Sequence, residues 1–418
     1  MVSIIYLLVS LALLFSFGYT MHIQGRRQGL VIQLSLVLFV LIITYVASQI
    51  QFSGYADVIR MHDEMLYAQT YGFTYLLKEY LINPGSAVLL YLVSPSGSSA
   101  ILQAFAAFVF FTALSYIFFI TYKTLNFPVL PFLVTCWLAI SSFGFSGMVG
   151  GVRNFPAMGL SSAAILSMTL IKKNKTIFPA LLCCVAAGLF HVGAWVQVIL
   201  FILSRVKKAK IRVCINITLS LYGFFAVFGA AFAMKFLPGK NFWSGIYSKV
   251  NGYFISGSSF DVYSSVNRML LMYFEFILII AALLIYVRNS KKNNSVYKVS
   301  NTYASRIALP KAYTSYLITY VCFCIGSIPS GTPFRRYTSL LVFNAIPLVT
   351  IVISQIFYEP AINHSYASEP FSPIYTNLYR WKVKKFSIQH ISALLIILLV
   401  LIVFTYNVWH QNMGTYIV

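Results

Sequence analysis

Charge is what this chain has least of. Of 418 residues only 9% are charged, and eight are acidic, against about 25% charged in soluble domains. That excludes a soluble globular protein and leaves no room for a large soluble domain. Phosphate-binding loops of the GxxxxGK[ST] or GxGxxG type are absent, as is HExxH, so an ATP-driven, dinucleotide-dependent or zinc-hydrolase mechanism has no support. The six cysteines, Cys136, Cys183, Cys184, Cys214, Cys322 and Cys324, all fall in apolar runs without histidine partners at zinc spacing. They read as small buried hydrophobes rather than ligands or a disulfide framework. There is no internal repeat and no low-complexity tract.

What the chain does have is apolar sequence, 59% of it. Runs near the roughly 20 residues a spanning helix needs lie at about 2–18, 30–49, 99–121, 127–148, 155–171, 213–234, 267–287, 313–330, 337–357 and 389–408. The fold class is therefore all-α, a polytopic helical membrane protein. Residues 1–18 carry no Lys or Arg ahead of the apolar run, so they read as a retained first span rather than a cleaved signal. The net charge of +22 resembles a nucleic-acid signal. The basic residues instead fall in short loops between spans, as the positive-inside rule requires, and no nucleic-acid partner is expected.

The apolar stretch 176–204 separates two basic clusters, 172–175 and 205–212. A single crossing would put one cluster on the wrong side. The stretch is longer than one span needs, and Gly188, His191 and Gly193 lie near its middle. It reads as a short helical hairpin with His191 near the tip. The chain is thus expected to make about 11–12 crossings; counting the hairpin as two gives 12, with both chain ends outside. On that count 21 of the 30 Lys and Arg residues face the cytoplasm. The outer face carries two long loops, about 50–98 and 235–266, and 288–311 is a polar cytoplasmic loop. Within the first outer loop, the short apolar segment 81–93 reads as a helix at the membrane interface.

Three of the nine remaining basic residues carry a functional reading. Arg153 precedes Asn154-Phe155-Pro156, and proline suits the first turn of a helix. Arg335 and Arg336 follow Gly331-Thr332-Pro333. Helix N-termini attract anions, and guanidinium groups grip phosphate in bidentate fashion, so these positions suit a phosphate clamp. Lipid headgroup contact is the plainer alternative. His191 in an apolar run is an ionisable group at membrane depth and so a functional candidate. Asp57, Asp63 and Glu64 are first-loop acids that could take a proton. Glu275, mid-span, is expected to pair with a buried Arg or His. The many tyrosines near span ends, including Tyr67, Tyr71, Tyr75 and Tyr80, read mostly as interfacial anchors, and a few could stack on sugar rings.

Three stretches, Val152-Arg153-Asn154-Phe155-Pro156-Ala157, Ala187-Gly188-Leu189-Phe190-His191-Val192-Gly193-Ala194 and Arg335-Arg336-Tyr337, resemble those of bacterial Wzy-type polysaccharide polymerases of the EpsG-like branch. Asp57 and Asn83-Pro84-Gly85 in the first outer loop add to the likeness. The resemblance implies a GT-C-like fold in the bacterial inner membrane with its site facing the periplasm. It implies a metal-independent glycosyltransferase without cofactor. Its substrate would be oligosaccharide repeat units on undecaprenyl pyrophosphate, joined in O-antigen, lipopolysaccharide or exopolysaccharide synthesis. A chain-length regulator protein would be a partner, with membrane lipid around it. His191, Arg153 and Asp63 would be catalytic, with His191 or an acid of the first loop as the base. Arg335, Arg336, Tyr337, Asp57 and Glu64 would hold the pyrophosphate or glycan. The rival readings are a lipid-linked oligosaccharide flippase, an O-antigen ligase and, less readily, a sugar acyltransferase. The uncharged start and the long first outer loop speak against the flippase.

Overall fold

A computed structural model describes residues 2–22, 27–52, 57–125, 127–171, 176–236, 266–296, 308–362, 379–383, 388–411 and 416–417. They form a helical bundle. In chain order the helices are α1 (Val2–His22), α2 (Arg27–Ser48), α3 (Asp57–Glu79), α4 (Pro84–Val93), α5 (Ser99–Thr124), α6 (Val129–Ser141), α7 (Phe145–Gly150) and α8 (Asn154–Leu170). Then come α9 (Ile177–Phe190), α10 (Val192–Ser204), α11 (Ala209–Phe236), α12 (Val266–Val296), α13 (Lys311–Ser327), α14 (Gly331–Phe357) and α15 (Ile388–Gln411). Two short antiparallel strand pairs complete the described part. β1 (Ile50–Gln51) pairs with β4 (Tyr416–Ile417), and β2 (Tyr358–Ile362) with β3 (Tyr379–Val383).

Among the described residues, α2, α5, α11, α12 and α14 contain stretches long and apolar enough to cross a membrane. Shorter apolar stretches occupy α1, α6, α9, α10 and α15. Hydrocarbon offers no hydrogen bonds, so backbone groups there must pair within the chain, and helices do this segment by segment. Large apolar side chains such as Leu34, Val37, Leu38, Leu394, Leu395 and Leu399 remain exposed, as surfaces facing lipid rather than water would. The chain is a polytopic all-α membrane protein.

The stretch 176–204 doubles back at His191. Ala187 of α9 and Ala194 of α10 both pack on Ala157, near the start of α8. At the far end of α10, the Ser204 carbonyl accepts from Ser315 Oγ at 3.0 Å, near the start of α13. Trp195 lies so close over Gly188 that a Cβ there would come within 2.2 Å of the indole. The basic residues Arg205, Lys207, Lys208, Lys210, Arg212 and Lys311 therefore gather at the end opposite His191; this is called the basic end below, and the other the hinge end. A buried polar chain ties α8, α10 and α14 between them. Ser162 Oγ donates to Gln197 Oε1 at 2.7 Å, and Asn344 Nδ2 donates to Ser162 Oγ at 3.2 Å.

Three expectations change. The outer loop 50–98 is largely helical, forming α3, α4 and a 3-10 turn at Ser94–Ser96. Its residues keep one face buried, with Val58, Met61, Met65 and Ala68 inward, which an apolar-run criterion does not see. The span at 127–148 is broken between α6 and α7. The polar segment from 288 continues α12 as far as Val296. The second outer loop falls almost wholly outside the described residues.

Helices α11 and α13 meet backbone to backbone, as small residues in membrane interfaces permit. A Cβ on Gly223 would lie 2.1 Å from the Gly326 carbonyl oxygen, and one on Gly326 as close to that of Leu219. We expect Gly326→Val to cost about 1–3 kcal/mol or more in thermal unfolding of the detergent-purified protein. Gly29→Ala, where a Cβ meets nothing within 4 Å, should leave the melting temperature unchanged or raise it. Equal effects would contradict this packing.

Candidate functional site

Arg153 stands at the N-cap of α8, and Asp57 opens α3, 96 residues earlier. They meet as a bidentate pair. Arg153 Nη2 donates to Asp57 Oδ1 at 2.9 Å and Nε to Oδ2 at 3.3 Å. The guanidinium lies 5.1 Å from the Tyr80 ring centroid, so cation–π attraction adds to the pair. Arg60 donates to the same Asp57 Oδ1 at 2.5 Å and stands 3.8 Å from Glu64. Tyr80 donates to Glu64 Oε2. Two positive and two negative side chains thus form a self-neutralised cluster at the joint between α3 and the bundle.

Side-chain exposure is 15% for Arg153 and 21% for Asp57, so the pair is shielded more than an ordinary surface ion pair. Burial alone would lower the proton affinity of Arg153, but the Asp57 carboxylate and its hydrogen bonds outweigh that and raise it. The guanidinium stays charged. Burial first, and then the hydrogen bond to Glu64, push the Tyr80 hydroxyl well up, so Tyr80 remains a neutral donor. Both oxygens of Asp57 accept from Arg153, which suits it to orient that guanidinium. Asp63 is exposed on α3 and makes none of these contacts.

The second group surrounds the hinge. His191 is extended (φ −154°, ψ 126°) between α9 and α10 and caps α10. Its Nδ1 accepts from the Gly193 N–H at 3.0 Å. A neutral imidazole that accepts at Nδ1 carries its proton on Nε2. His191 is therefore presented as a hydrogen-bond donor, and the general-base reading does not fit this geometry.

The start of α4 clasps the same hinge. Asn83 Oδ1 accepts from the Val192 N–H at 3.0 Å, and Ser86 Oγ donates to the Phe190 carbonyl at 2.9 Å. At Gly85 a Cβ would lie 3.1 Å from the Leu189 carbonyl carbon, so only glycine fits without displacement. Phe105 stacks on Phe190 with centroids 5.5 Å apart. Asn83 and Ser86 are functional-end residues that sequence reading did not single out as contacts. Their signal was local only, a turn motif ahead of an apolar helix.

Tyr337 of α14 reaches the hinge from the other side, its hydroxyl donating to the Gly193 carbonyl at 3.3 Å. Phe334, one turn earlier, is buried against Tyr273 and Phe276. Arg335 and Arg336 lie inside the second turn of α14 and are half-buried. At about 100° per residue, Arg335 stands on the flank of α14 away from Tyr337. The Tyr337 hydroxyl is thereby brought to the Gly193 backbone, two residues from His191.

All the sequence-derived site residues sit at the hinge end. Asp57, Arg60, Glu64, Tyr80 and Arg153 form one group; Asn83, Ser86, His191, Gly193 and Tyr337 form the other. The chain from Tyr80 to Asn83 joins them, with the Asn83 N–H bonded to the Tyr80 carbonyl at 2.8 Å. Among the described residues no three His, Cys, Asp or Glu side chains lie close enough to hold a metal ion. No family model, curated protein or solved structure matches the chain.

If Arg153 and Asp57 act as one unit, their losses should not add. Arg153→Ala and Asp57→Ala each lower the melting temperature, while the double variant should recover about 1 kcal/mol or more relative to the sum. Arg153→Lys should behave like Arg153→Ala, because a point ammonium cannot replace a bidentate fork. Strict additivity would show that the pair is not coupled.

Proposed function

We propose that this protein is a glycan polymerase. It would transfer a growing oligosaccharide chain from a lipid pyrophosphate to a sugar hydroxyl of the next lipid-linked repeat unit, at the outer face of the bacterial inner membrane. The observation that supports this most is the convergence at the hinge end of an arginine at a helix start, a broken-helix turn and an arginine-bearing helix opening. The acceptor hydroxyl attacks the anomeric carbon, the bond from that carbon to the phosphate oxygen breaks, and the pyrophosphate leaves with the electron pair. That leaving group is a weak base and needs positive charge and N–H donors where its charge develops.

Arg335 and Arg336 would supply the charge. Arg153 keeps the rest of its five N–H donors after two go to Asp57. His191 would lie beside the pyrophosphate as a neutral group, and Tyr337, whose hydroxyl donates to the Gly193 carbonyl, would hold the hinge in place. The acceptor proton passes to an uncommitted carboxylate of α3, for which Asp63 is the candidate. A GT-C-like architecture belongs to the same proposal, and so does a separate protein that sets chain length.

Deleting the gene in its source bacterium tests the reading. Surface glycan carrying a single repeat unit is the expected result; complete loss of surface glycan would point to a flippase or ligase and overturn it. Arg335→Ala, at normal membrane levels, should lower polymer by on the order of 10²-fold. Unchanged long chains would remove Arg335 from the site.

A further inference from the structure

Tyr67, Tyr71 and Tyr75 of α3 form a feature that the site described above does not use. Their ring centroids lie 6.3 Å apart for 67–71, 5.7 Å for 71–75 and 6.3 Å for 67–75. In a straight helix, residues eight apart are separated by about 12 Å along the axis. The three rings instead make a triangle in mutual contact. The cause is Gly72, whose φ of 74° and ψ of −173° break the helix. That backbone region is essentially restricted to glycine. Tyr67 and Tyr71 nevertheless remain 54% and 62% exposed, a poor use of aromatic surface unless something covers it.

The surroundings favour one occupant. Glu64 and Glu79 are close enough to Tyr75 to act on its hydroxyl electrostatically. Over its length α3 has Asp57, Asp63, Glu64 and Glu79 against Arg60 and Lys78, an acidic balance. Helices that lie on anionic membranes are rich in Lys and Arg on their polar face; α3 has two, outnumbered by its acids. Ring faces beside carboxylates match a neutral polyol instead: the rings take the apolar C–H faces of sugars, and the acids take their hydroxyls. The same helix begins at Asp57, the partner of Arg153.

We propose that the Tyr67–Tyr71–Tyr75 triangle is a docking platform for oligosaccharide, holding the glycan portion of the substrate while its pyrophosphate end lies at the hinge. This deepens the polymerase reading and rests on it for the identity of the sugar chain.

The test is hydroxyl-radical footprinting of the full chain in nanodiscs of phosphatidylethanolamine and phosphatidylglycerol. The probe is oligosaccharide released by mild acid from the source cell's own surface glycan. Tyr67 and Tyr71 should oxidise readily without sugar and be protected by it. Tyr71→Ala should weaken binding about tenfold, whereas Tyr71→Phe should keep it. Gly72→Ala retains all three rings but opposes the break, and should weaken binding as much as Tyr71→Ala. Rings already shielded by lipid without sugar would show a membrane anchor and overturn the proposal, as would exposed rings that sugar does not protect. If protection holds but the deletion strain still makes long chains, the platform stands and the polymerase reading fails. If the deletion strain shows single units and sugar gives no protection, the reverse is true.

Discussion

A helix that breaks within an apolar bundle must find new partners for the backbone groups it releases, because hydrocarbon supplies none. The rest of the hinge end depends on that constraint. At His191 the chain leaves one helix and starts another, and the freed groups are taken by specific side chains. The imidazole Nδ1 takes Gly193 N–H, Asn83 Oδ1 takes Val192 N–H, and Ser86 Oγ donates to Phe190 C=O. Satisfying the break therefore fixes the tautomer of His191 and seats α4 in one step. Because α4 follows Tyr80, the same seating presents the Tyr80 ring to Arg153.

The Arg153–Asp57 pair closes the arrangement from the other side. A charge at a helix start inside a largely apolar protein is tolerated when it is paired and hydrogen-bonded. Here the partner comes from the segment that has to be held. The pair pins the first turn of α3 to the first turn of α8, while α4 pins the other end of that segment to the hinge. A layer of helix is thus fastened at both ends over one end of the bundle, and the exposed tyrosine triangle is carried on it.

Much of this architecture was legible in the residues. Apolar runs located most of the long helices, since hydropathy reports directly on the lipid-facing surface, but α12 runs on to Val296 and α14 starts at Gly331, past the expected ends at 287 and 337. The double basic flank of 176–204, with glycines at its centre, was enough to call for a reversal at His191. What could not be read was long-range partnership. Asp57 and Arg153 are 96 residues apart, and no local pattern couples them. The helix α3 escaped notice because its inward face is apolar only at helical spacing, with tyrosines and acids between. His191 looked like a base because its apolar setting was visible and the Gly193 N–H was not. The arginines of α14 were expected at a helix opening; the helix begins at Gly331, ahead of Pro333, so they stand in its second turn.

In the proposed function the hinge end joins lipid-linked glycans. Reconstitution of the purified chain in proteoliposomes with a lipid-pyrophosphate-linked oligosaccharide as the only substrate addresses it most directly. The expected products are lipid-linked glycans lengthened by whole repeat units, with one lipid pyrophosphate released per unit joined. Movement of the intact substrate between leaflets without lengthening would contradict it.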